Sequence, residues 1–107
     1  MKAKVNKQVR PSVSHDQALV RELRTDPEFA AEYLKAAMAE MDEPRVLLIA
    51  LRHIAEARGG IAKVAKAAGI ERASLYRALS EKGNPRLSTL AAVTKAIGLR
   101  ITVEAVA

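Results

Sequence analysis

The sequence predicts an all-α fold, a small helical bundle that ends in a short C-terminal strand. Three observations predict it. Alanine, leucine and charged residues dominate, and only 3% of the chain is aromatic, which suits helices better than a sandwich or barrel. Apolar residues recur at helical spacing through most of the 107 residues, divided by recognisable start and stop signals. Only the final stretch changes period: Leu99, Ile101, Val103 and Ala105 alternate with Arg100, Thr102 and Glu104, the pattern of a half-buried strand. With no cysteine there is no disulfide framework and no thiolate metal site. No run approaches the roughly 18 consecutive apolar residues of a membrane span, and the basic opening MKAKVNKQVRP lacks the apolar core of a signal peptide. A cytoplasmic protein is expected.

Residues 1–13 hold no sustained period and read as a flexible basic arm bearing Lys2, Lys4, Lys7 and Arg10. The remaining residues, 14–107, read as one domain. Ser14 and Gln17 resemble a capping box that opens a helix with Leu19, Val20 and Leu23 inward. In TDPE, Asp26 suits an N-cap with Pro27 at the first helical position, and Thr25 with Glu28 offers a competing box. The helix that follows carries Phe29, Tyr33 and Ala37 in one row, beside Ala30, Leu34, Met38 and Met41. A third helix starts near Pro44, buries Leu47, Leu48, Leu51, Ile54 and Ala55, and stops at Gly59-Gly60. These make up N-terminal helices over 14–58. Further helices are expected near 61–68, 72–80 and 87–97, within a segment 59–98, before the strand at 99–106. No second strand is legible, so pairing with the same segment of another subunit is a reasonable source of a homodimer.

The charge is as uneven as the periodicity. The formal net charge is +6, yet residues 1–57 carry acidic and basic residues in near balance. Residues 58–100 hold nine Lys or Arg against only Glu71 and Glu81. Such a block suits a polyanionic partner. Within it, VAKAAGIERASLYRALS (64–80) meets the demands of a helix-turn-helix. Ala65 is small where a second helix must cross, Gly69 tolerates the positive φ of the turn, and Ile70 is an apolar plug. Leu75, Ala78 and Leu79 form the inward anchor. Turning by 100° per residue puts Ala73, Arg77 and Ser80 opposite that anchor, with Ser74 and Tyr76 on the flanks. Arg72 and Ala73 occupy the first turn, the part that enters the major groove most deeply. Arginine can donate to guanine O6 and N7 together, and Tyr76 can reach a phosphate or a thymine methyl. Lys63, Lys66, Lys82, Asn84 and Arg86 surround the motif as phosphate contacts, which fix register without reading sequence. Double-stranded DNA is the partner this predicts.

The runs TDPEFAAEYLKAA and LIALRHIAEARGGIAKVAKAAGIERASLYRALSEKGNPRLSTLAAVTKAIGLRITVE also resemble the addiction-module antidote proteins, the HigA-type antitoxins of type II toxin–antitoxin systems. The resemblance covers roughly residues 16–104 and is most specific in DPEFAAEYL, ARGG, LYRALSEKGNPR and IGLRI. It implies a lambda-repressor-like helix-turn-helix, a small basic toxin of the RelE/ParE type as partner, and repression of the shared operon from a palindromic operator. Carried over, the DNA-facing positions are Arg72, Ala73, Tyr76 and Arg77, with Lys82, Asn84 and Arg86 nearby. One departure stands out: Glu71 occupies a helix-start position that is often serine or threonine, and a carboxylate repels phosphate.

A stand-alone prophage-type repressor without a toxin remains the alternative, as does a helical adaptor that has lost DNA binding. An enzyme is not expected. The two histidines, His15 and His53, lie 38 residues apart, no glycine-rich phosphate loop is present, and no general base accompanies Ser74. No cofactor or metal is expected, and His53 reads as structural or solvent-facing.

Overall fold

Six helices follow one another in the computed structural model, which describes residues 11–39 and 42–106. They are α1 (Pro11–Thr25), α2 (Pro27–Met38), α3 (Pro44–Ala57), α4 (Ile61–Ala68), α5 (Arg72–Ala78) and α6 (Leu87–Ala96). Three of them begin on proline, whose fixed φ and missing N–H suit a first helical position. Met41 and the four basic residues of the expected N-terminal arm lie outside the described residues.

The first break, between α1 and α2, is made by Asp26. Its carboxylate accepts from the Phe29 backbone N–H at 3.0 Å, satisfying one orphan donor of α2. Thr25 does not compete for that role; its hydroxyl donates back to the Arg21 carbonyl at 3.0 Å and closes α1. At the other end of α1, Ser14 lies inside the helix rather than at its start. Pro11 begins the helix one turn earlier than the capping box suggests, so residues 11–13 belong to α1 and not to an arm.

Helix α3 is the centre of the molecule. It packs against α1 and α2 on one side and α4 on the other, and α4 in turn carries α5 and α6. Its Leu48, Leu51, Ile54 and Ala55 are buried, with Leu23 of α1, Ala30 and Leu34 of α2, Val64 and Ala65 of α4, and Val93 of α6. Alanine supplies much of this core, and short side chains let helix axes approach closely. The third helix ends as expected, with the Gly60 N–H reaching the Ala55 carbonyl at 2.8 Å across a left-handed turn.

Residues 99–106 are not a strand within the described residues. Gly98, at φ +84°, turns the chain out of α6, and the Leu99 N–H caps the Thr94 carbonyl at 2.9 Å. The segment then runs on with neither helix nor turn. The period-two pattern is present, but a strand exists only by pairing, and no second strand lies among the described residues to pair with it. Leu99 and Ile101 are half-buried at its start, and Glu104 reaches Lys35 of α2 at 3.8 Å.

Candidate nucleic-acid interface

Helices α4 and α5 are joined by Gly69, Ile70 and Glu71 alone. Gly69 takes φ +72° and ψ +30°, the left-handed conformation that a side chain disfavours. The Ile70 N–H then reaches back to the Ala65 carbonyl at 2.9 Å, while the Ile70 side chain packs against the core. Ala65 itself is 1% exposed, so the small residue at the crossing is fully covered.

Among the described helices, α4 is the one whose backbone runs close to α5. Leu75 and, one residue past the helix, Leu79 are completely buried and hold it down. Each burial of this kind is worth about 1.5–3 kcal/mol. Arg52 of α3 donates to the Leu79 carbonyl at the C-terminal end of α5. A short helix is thus fixed at its middle and its C-terminal end while most of its circumference stays in water.

The sequence-predicted site residues fall on that wet side. Arg72, Ala73, Tyr76 and Arg77 are all exposed on α5, with Tyr76 at 64% despite its ring. Lys82 and Asn84 are exposed in the loop that follows, and Arg86 is the exposed residue immediately before α6. Ser80 does not join them as expected. The helix ends at Ala78, and the Ser80 hydroxyl turns back to donate to the Arg77 carbonyl at 2.7 Å. The 100° projection fails there because the residue is no longer helical.

Electrostatics favour the same face. Of the two acidic residues in the basic block, Glu81 pairs with Arg45 of α3 at 3.0 Å. Glu71 accepts from the Ser74 hydroxyl at 3.0 Å and makes no backbone cap. Among the described residues, Arg72, Arg77, Lys82 and Arg86 form no ion pair. Three exposed neighbours escaped the sequence reading: Leu87, Ser88 and Thr89 at the start of α6, which has no side-chain cap. Leu87 is 75% exposed, and only the position of the helix start, set by Pro85 and Arg86, would have singled it out.

His53 is structural. The Tyr33 hydroxyl and His53 Nδ1 share a hydrogen bond of 2.7 Å between α2 and α3, and Phe29 lies beside the Tyr33 ring. Burial, with the Asp16 charge as a smaller cause, raises the Tyr33 hydroxyl above its ordinary pKa of 10.0.

Fold and surface together define a small all-helical protein that presents one short basic helix outward. The chain belongs to the family described as "probable addiction module antidote protein", whose model matches residues 16–105. An uncharacterised protein of Haemophilus influenzae strain Rd is 40% identical over 85 residues, which span 79% of this chain and 86% of that one. No solved structure matches. Membership makes the chain an antidote, and an antidote implies a toxin as its partner. No helix among the described residues is long and apolar enough to cross a membrane.

Proposed function

We propose that this antidote neutralises a small basic toxin of the RelE/ParE type and, as a homodimer, represses its own operon through a helix-turn-helix formed by α4 and α5. The observation that carries the DNA-binding part is the state of α5. It is anchored by Leu75 and Leu79 yet leaves Arg72, Ala73, Tyr76 and Arg77 outward, with both arginines free of any ion pair among the described residues.

In this reading the first turn of α5 enters the major groove. Arg72 and Arg77 read base edges, Ala73 and Tyr76 add apolar or phosphate contact, and Lys82, Asn84 and Arg86 hold the flanking backbone. Glu71 stays clear of phosphate by holding Ser74. The toxin meets the less basic half, where Glu22, Asp26, Glu28, Glu32, Asp42 and Glu43 are exposed and suit a basic partner.

Fluorescence anisotropy on DNA from the gene's own upstream region, across a salt series, tests the reading. Binding should fall steeply with salt as phosphates are neutralised. Arg77→Ala should lose about 1–3 kcal/mol on this DNA and much less on a random duplex. Equal weakening on both would reduce Arg77 to a phosphate contact. Salt-insensitive or absent binding would remove the DNA role and leave the toxin as the sole partner.

A further inference from the structure

We infer that residues 99–105 form an antiparallel strand with the same segment of a second copy, in one register centred on Thr102. The inference rests on the dimeric reading above and supplies its interface. Three observations carry it. Beyond Leu99, no backbone group of residues 100–106 makes a backbone hydrogen bond among the described residues, so the segment is an open strand edge. Leu99 packs against the core and Ile101 is half-buried, whereas Val103, next on the same face of an extended chain, is 95% exposed. The apolar face therefore runs off the edge of its own subunit.

Charge then selects the register. In an antiparallel pair centred on Thr102, each Arg100 stands opposite Glu104 of the other copy, and Thr102 stands opposite itself. On the second face Ile101 meets Val103 and Leu99 meets Ala105, which covers the exposed valine with a half-buried isoleucine. Moving the centre by one residue places Arg100 against Thr102 or Val106 and leaves both charges unmatched. Half-step registers set the apolar face of one strand against the polar face of the other. Glu104 is available for the exchange, because its contact with Lys35 is long at 3.8 Å and both side chains are largely in water. A two-stranded ribbon is marginal by itself; here Leu99, packed against the core of each copy, docks it on two helical bodies.

The chain's lack of cysteine makes the register directly testable. Sedimentation of the full chain should give a dimer at micromolar concentration. In Thr102→Cys the two sulfurs face each other across the axis, and mild oxidation should link the subunits. In Arg100→Cys the twins stand four residues apart along the ladder, about 14 Å, beyond the ~7 Å that a disulfide can bridge. That variant should stay unlinked. Arg100→Glu should raise the dimer dissociation constant about tenfold, and adding Glu104→Arg should restore it. A monomer at all concentrations overturns the proposal. So does a dimer in which Arg100→Cys links as readily as Thr102→Cys, or in which the charge exchange restores nothing. Neither DNA nor toxin enters these measurements, so their failure is separable from failure of the operator reading.

Discussion

Gly83 needs no left-handed backbone, and still no other residue fits its place. A β carbon there would stand 2.0 Å from the Ala78 carbonyl oxygen and 2.9 Å from that of Arg77, both backbone atoms that cannot swing aside. The loop after α5 is drawn in this closely because the Gly83 N–H bonds the Ser80 carbonyl at 2.8 Å. Gly83→Ala should therefore destabilise the fold by about 1–3 kcal/mol in urea unfolding, as overpacking does. Tyr33 makes a second prediction at this scale. Tyr33→Phe keeps the ring and removes its hydrogen bond to His53, a loss of about 1 kcal/mol. It should also change the alkaline limb. Because the folded hydroxyl titrates above 10.0, its contribution is full below that pH and is lost as pH rises through the raised value. Thermal melts between neutral and strongly alkaline pH should show that decline in the native protein and a shallower one in Tyr33→Phe.

The helices are tied to one another at their C-terminal ends, where carbonyls lack partners. Arg58, just past α3, donates to the Ile97 carbonyl after α6 at 3.2 Å and to the Arg24 carbonyl near the end of α1 at 3.5 Å. Arg52 does the same for Leu79 after α5. Both guanidinium groups place positive charge at the negative pole of a helix dipole. Arg58→Ala should cost about 1.5–3 kcal/mol in denaturant unfolding, more than an exposed arginine in α5 would. None of this was legible in the sequence, since Arg52 and Arg58 act on residues 27 to 39 positions away and look like any basic residue late in a helix. By contrast, Asp26, Gly60, Ala65, Gly69 and Ile70 were legible because each answers a demand made by its immediate neighbours. The errors follow the same rule. Ser80 was projected along a helix that had already ended. Pro11 reads as part of an aperiodic arm, yet it opens α1. The C-terminal alternation is present, yet no strand forms on it among the described residues, because periodicity alone supplies no partner strand.

At the scale of the molecule, balanced charge in residues 1–57 and a strongly basic 58–100 become two halves of one body, joined through α3 and α4. In the proposed dimer two copies of α5 face DNA about 34 Å apart, one helical turn. Inserting about 5 base pairs between operator half-sites rotates one half-site to the opposite side of the duplex. Anisotropy titrations should then show affinity falling to that of a single half-site. The anchoring of α5 has a last consequence. The residues that hold this helix, Leu75 and Leu79, are distinct from those it displays, Arg72, Ala73, Tyr76 and Arg77. The outward set carries almost none of the folding free energy, so under the operator reading proposed above it can be exchanged while the scaffold is kept. Transplanting the four outward residues from a relative should move specificity between operators and leave the melting temperature nearly unchanged.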